Sequence, residues 1–195
     1  SSNTWITTEV HKYEEDYLTF RALESGTFSL STNDIDYSLD SGETWTTLAA
    51  GTSTPTVNSG DTVLWKASNL TPVSGSGIGT FSSTGNFEVE GNLLSLVYGD
   101  DFENQVPSTS SNKYYFTNLF SGNTNVINAE NLAIVGQSLP DEYCRQMFHS
   151  CSNLEKIPRV LSASTIGNST YRAMFNRCSK ITTAPSIYAT TIGEN

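Results

Sequence analysis

At 195 residues, with 15% charged side chains and a formal net charge of −10, the chain is long enough for one large domain or two small ones. Its Ser, Thr, Asn and Gly content is that of β-rich proteins outside the cytoplasm rather than of helical cytosolic enzymes. Residues 1 to 105 carry 15 acidic against 3 basic groups and residues 106 to 195 carry 5 against 7, so the acidic first half and the lack of a basic stripe argue against nucleic acid as a partner. No apolar run approaches the roughly 18 residues of a membrane span, and the start SSNTWITTEV has neither the charged nor the apolar region of a signal peptide.

Residues 1–16 read as a lead-in segment. From Tyr17, short alternating runs separated by turn residues predict a β-sandwich over residues 17–104. YLTFRAL places Leu18, Phe20 and Ala22 on one face, and TFSLS is expected to fold back on it as a hairpin. DIDYSL points Ile35, Tyr37 and Leu39 inward, and Asp40-Ser41-Gly42 turns the chain into ETWTTL as a second hairpin. A third turn is expected at Asn58-Ser59-Gly60, before the strand carrying Val63 and Trp65. The Gly/Ser-rich VSGSGIGTFSSTGNF reads as a surface loop leading into NFEVEGNLLSLVYG.

The second hairpin carries Ser38, Asp40, Gly42, Thr44 and Trp45 in the order Ser-x-Asp-x-Gly-x-Thr-Trp. That order is similar to the Asp-box of sialidases and related carbohydrate-active propellers, where the motif lies away from the catalytic centre and recurs between blades. Here it occurs once. An Asp that accepts nearby backbone N–H groups, a Gly free to take a positive φ and a Trp packed across the turn make a local staple. A sialidase also needs an arginine cluster for the substrate carboxylate, and Arg21 is the only arginine before Arg145. The chain is therefore expected not to be an enzyme.

Residues 105–195 repeat themselves. NLFSGNTNVINAENL, QMFHSCSNLEKIPRV and AMFNRCSKITTAPSI superpose so that Phe120, Phe148 and Phe175 share one register, Asn123, Cys151 and Cys178 a second, and Val126, Leu154 and Ile181 a third. Each unit is expected to join a short helical turn bearing Met-Phe to a brief extended piece, and to bury its apolar side only by stacking. SIYATTIGEN repeats the lead-in RVLSASTIGNS, so three units and a truncated array are expected.

The pattern Tyr-x-x-Met-Phe-x-x-Cys-x-x-Leu followed by Ala/Ile-Pro over residues 113–195 resembles the BspA-like leucine-rich repeats of bacterial cell-surface proteins, found in gut Bacteroidetes and in proteins of their phages. LTFRALESGTFSLS through GTFSSTGNFEVEGNLLSLVYGDDF is similar to the β-domain that often precedes such arrays. Asn123 in place of Cys and a longer period depart from the family pattern. The resemblance implies a leucine-rich-repeat solenoid of α/β type after the sandwich, an extracellular, cell-surface or virion setting, and adhesion or structural attachment without catalytic residues. Host glycan or protein, or neighbouring structural subunits, are the implied partners. No cofactor is implied.

Other constellations have plainer readings. Cys144, His149, Cys151 and Cys178 have the residue types of a zinc site, but Cys151 and Cys178 occupy one repeat register, and free thiols are expected. The acidic runs at Asp34, Asp36, Asp40 and Glu43 and at Asp100, Asp101 and Glu103 lack the ligand order of an EF-hand and read as exposed turns rather than calcium sites. Trp5, Trp45, Trp65 and the Tyr114–Phe116 stretch could make an aromatic platform for glycan, or be packing. Asn69-Leu70-Thr71 and Asn168-Ser169-Thr170 match the glycosylation pattern. His11 and His149 are the only histidines and support no Ser/His/Asp triad.

Overall fold

A computed structural model describes residues 13–193. Trp5 and His11 lie outside the described residues, as does most of the lead-in. The strands are β1 (Leu18–Ala22), β2 (Phe28–Leu30), β3 (Ile35–Ser38), β4 (Thr46–Leu48), β5 (Thr62–Lys66), β6 (Phe81–Ser83) and β7 (Phe87–Asn92). A single turn of helix, α1 (Ser95–Tyr98), runs into a 3-10 turn over Gly99–Asn104. The chain continues into β8 (Val126–Ala133) and then five strands of two residues each: β9 (Ser138–Leu139), β10 (Val160–Leu161), β11 (Thr165–Ile166), β12 (Ser186–Ile187) and β13 (Thr191–Ile192).

Six strands form one mixed sheet in the order β4-β3-β5-β1-β7-β8. β1 lies inside it because Leu18, Phe20 and Ala22 alternate onto one face, and all three are buried. There Phe20 touches Phe28, Trp65, Phe81, Phe87 and Phe120, with ring centroids 4.8 to 5.7 Å apart. β8 adds to the sheet in parallel with β7, while the other pairs are antiparallel.

TFSLS does not fold back on β1. The neighbours of β1 are β5 and β7, and β2 pairs with β6 in a separate two-stranded sheet. The turn between them is drawn off the sheet, since Leu23 N–H donates to the Asn86 carbonyl and Gly26 N–H to that of Val57. Leu39 is 47% exposed rather than inward, because β3 ends at Ser38 and the strand alternation ends with it.

The Gly/Ser-rich stretch before β6 is not a surface loop. Ile78 and Phe81 are fully buried, and their amides donate to the carbonyls of Tyr115 and Leu119 at 3.0 and 2.7 Å. Glycine is required there. Gly77 has φ +64°, and a Cβ on it would lie 2.5 Å from the Thr117 carbonyl oxygen and 2.9 Å from those of Tyr114 and Tyr115.

The Met-Phe segments are not helical. Positive φ recurs at every fourth residue: Tyr114, Asn118 and Gly122; Glu142, Gln146 and Ser150; Ser169, Ala173 and Arg177. The chain there is a run of overlapping turns in which amides alternate between two kinds of acceptor. Thr117, Ser121, Arg145, His149, Arg172 and Asn176 donate three residues back within their own layer. Phe116, Asn118, Phe120 and Gly122 instead donate to Tyr143, Arg145, Met147 and His149 of the next layer at 2.7 to 3.0 Å. Cys144, Gln146, Phe148 and Ser150 donate likewise to Thr170, Arg172, Met174 and Asn176 at 2.8 to 2.9 Å. An α-helix would need every one of these amides for its own carbonyl four residues back.

These findings overturn the expected fold class of an N-terminal β-sandwich followed by a leucine-rich solenoid of α/β type. Apart from Tyr13 and Glu14, the only described α-helical residues are the four of α1, and no helix alternates with the strands of residues 105–193. The sheets are several, open and mixed, and the parallel ladders β9-β11-β13 and β10-β12 are two residues wide. Both halves also share one hydrophobic core. The physical reason is the layer-to-layer use of alternate amides, which leaves no donors to build helices.

Candidate functional site

The Asp-box residues form a closed hydrogen-bonded loop at the tip of the β3–β4 hairpin. Ser38 Oγ donates to Asp40 Oδ1 at 2.7 Å and accepts from Gly42 N–H at 2.9 Å. Thr44 donates to Asp40 twice, through its N–H at 2.9 Å and its hydroxyl at 2.5 Å. These bonds, those from Thr44 first and that from Ser38 next, hold the Asp40 carboxyl down at about 2. Gly42 has φ +91°. Trp45 is half-buried, 5.1 Å from the Tyr17 ring, with the Lys66 ammonium 4.1 Å above its own ring. Lys66 is in turn held by Asp100 at 2.7 Å, and Asp100 accepts the Tyr17 hydroxyl at 2.8 Å.

Because the folded Asp40 ionises below its unfolded value of 3.8, its contribution to stability is present above that value and is lost as pH falls towards about 2. Urea midpoints of wild type and Asp40→Asn should therefore differ by a constant amount above about pH 5 and converge below about pH 4. A gap independent of pH would show that the carboxylate is not what holds the turn.

Of the aromatic residues weighed as a glycan platform or as packing, those described near the core are packed, and Trp5 lies outside the described residues. Trp65, Tyr115 and Phe116 lie in the core, and Lys66 covers Trp45. The cysteine register has a uniform task instead. Cys178 Sγ donates to the Phe148 carbonyl at 2.9 Å, Cys151 Sγ to that of Phe120 at 3.0 Å, and Asn123 Nδ2 to that of Phe81 at 3.1 Å. Each of these side chains thus binds the phenylalanine carbonyl one layer earlier, and the longer Asn amide serves where that layer belongs to β6. Burial pushes the Cys151 thiol up to about 12 and that of Cys144 well above its ordinary range. Among the described residues no group of three or more His, Cys, Asp or Glu side chains is arranged to hold a metal ion.

The apolar ladder runs through the whole molecule. Phe81, Phe120, Phe148 and Phe175 stack with centroids 5.8, 5.1 and 5.8 Å apart and planes within 21° of parallel. Val126 and Leu154 are fully buried, whereas Ile181 in the last layer is only partly so. Ion pairs join successive layers on the outside: Lys113 with Asp141 at 2.8 Å, Arg159 with Glu130 at 2.6 Å and Lys180 with Glu155 at 3.7 Å. Asn69 and Asn168 are both exposed.

Phe81 and Gly77 are the residues that sequence reasoning missed. A signal was present: Phe81-Ser82 followed by Asn86-Phe87 and Asn92-Leu93 matches Phe120-Ser121, Asn125-Val126 and Asn131-Leu132 at a constant offset. Phe87 and Val126 are indeed register partners in the β7–β8 pair.

Two surface features stand out. An open polar cleft of about 480 Å³ is lined by Thr32, Asn33, Asp34, Asp36, Ser68 and Asn69 among others. Its two carboxylates are engaged, Asp34 with the Ala50 amide at 2.8 Å and Asp36 with the Thr47 hydroxyl at 2.6 Å. The second feature is the last described layer, where Ile187, Tyr188 and Ile192 are 59, 62 and 63% exposed and Phe175 and Cys178 are half-covered. Comparison with protein-family models, with curated proteins and with solved structures finds no match to this chain. No described helix is long and apolar enough to cross a membrane.

Proposed function

We propose that this chain is a non-enzymatic binding and adhesion module, displayed outside the cell on a bacterial surface, that acts by contact with a host glycan or protein. The observation that carries this reading is the stacked repeat, in which Phe120, Phe148 and Phe175 are held in register, since stacked repeats offer an extended surface for binding. The side chains with reactive chemistry support it: Asp40 is tied into a turn, and Cys151 and Cys178 serve backbone carbonyls. The likeness of the repeat residues to those of BspA-like surface proteins supports the extracellular setting.

The purified chain, presented to a broad array of glycans and matrix proteins, should show saturable binding to at least one class. Absence of saturable binding across the array would count against adhesion. A second reading, a structural subunit or decoration of a phage particle or surface filament, is favoured by the charge asymmetry between the two halves, and it predicts contact with other subunits instead.

A further inference from the structure

We propose that the polar cleft between the start of β3 and the loop after β5 binds a neutral saccharide through its hydroxyl groups. The inference rests on the reading that the molecule acts by contact with a glycan or protein, and it names the site and the ligand class. β3 and β5 run antiparallel with Asp36 opposite Lys66, so residues 32–34, which enter β3, and residues 67–70, which leave β5, meet at one end of the sheet. Both walls are fixed from behind. Thr32 Oγ1 and Asn33 Nδ2 donate to the Ile78 carbonyl at 3.1 and 2.8 Å, and a Cβ on Gly79 would lie 2.6 Å from Thr32 Oγ1. On the other side, Ala67 N–H donates to the Ser95 carbonyl at 2.9 Å and the Ala67 carbonyl accepts from Gly99 N–H at 2.8 Å. A cleft whose walls are already ordered loses little freedom when a ligand enters. Its volume of about 480 Å³ falls within the roughly 300–1,000 Å³ of small-ligand sites.

The lining selects the ligand. Asp34 and Asp36 each commit Oδ1 to the protein, to the Ala50 amide and the Thr47 hydroxyl, while their Oδ2 atoms and Asn33 Oδ1 meet no donor among the described residues. On the facing wall the exposed side chains of Ser68 and Asn69 bond only to each other among the described residues, at 3.3 Å. An anionic ligand is repelled by the two carboxylates, and the ammonium of Lys66 is held away by Asp100 at 2.7 Å and by the Trp45 ring. An apolar ligand would leave the carboxylate oxygens desolvated and unpaired. Calcium takes about six to eight oxygens, and among the described residues no three carboxylates converge. A saccharide meets the lining on every count. Its hydroxyls donate to Asp34, Asp36 and Asn33 and accept from Asn69 and Ser68, and Leu70 offers an apolar side to the ring.

Titration of the isotopically labelled full chain with maltose, cellobiose, lactose and mannobiose, followed by amide chemical shifts, tests this. At least one of these sugars should give saturable shifts centred on residues 32–36 and 67–70, with a dissociation constant on the order of 1 mM or below. Asp34→Asn keeps the oxygen that accepts from Ala50 and turns the unengaged one into a donor, and Asn69→Ala removes an exposed amide. The double variant should bind at least about tenfold more weakly with an unchanged circular dichroism spectrum. Asn69→Ala alone, which breaks no bond to another segment, should weaken binding about threefold or more. Absence of saturable shifts with all of the sugars, shifts centred away from the cleft, or undiminished affinity in both variants overturns the proposal. So does movement of the same amides by calcium chloride alone and by no sugar, which assigns the cleft to a cation, and so does tighter binding of sialyllactose than of lactose, which assigns it to an acid. Array binding that survives the double substitution while the cleft titration fails sinks this inference and leaves the adhesion reading standing. A blank array beside saturable cleft shifts does the reverse.

Discussion

Replacing Phe148 with alanine should destabilise the protein by about 3–5 kcal/mol, the cost of emptying a closely packed aromatic site. Phe148 is the middle rung of the ladder, fully buried, with Phe120 stacked 5.1 Å to one side and Phe175 5.8 Å to the other. Both neighbouring layers are fixed to its own by backbone hydrogen bonds, so they cannot close the gap by sliding. Phe175→Ala should cost clearly less, because Phe175 is only partly buried and has no described ring beyond it. Urea unfolding of the two variants checks the order. Equal losses would mean that the rungs do not share their packing across layers.

What could be read from the sequence follows the reach of each signal. Period-two alternation is a local property, and it placed Leu18, Phe20 and Ala22, and Val63 and Trp65, among the buried residues. The Asp-box bonds are also local, none spanning more than four residues. Pairing between distant strands leaves no such mark, so the expected β1–β2 hairpin gave way to β1 flanked by β5 and β7. The repeat register was legible because three copies of Phe and of Cys or Asn recur at near-constant spacing.

The local structure of the repeat was not legible. Met-Phe flanked by polar residues satisfies a helical pattern as well as a turn pattern, and the choice depends on an adjacent layer to receive the alternate amides. The non-glycine residues at positive φ, Ala173 and Gln146 among them, show that layer stacking overrode local preference. The Gly/Ser stretch misled for a related reason. Glycine reports both exposed flexibility and close backbone approach, and at Gly77 the second applies.

The central structural claim is that alternate amides of the turn layers belong to the next layer rather than to their own segment. Amide hydrogen exchange of the monomer at low concentration tests it residue by residue. Cys144, Gln146, Phe148 and Ser150 should be protected by factors on the order of 10³ or more, because releasing them requires parting two layers of the core. Tyr171, Ala173, Phe175 and Arg177, in the same register one layer on, should exchange close to the rate of an unstructured peptide. Equal protection of the two sets of amides would contradict the account, since it would require those of the last layer to have acceptors within their own segment, as a helix provides.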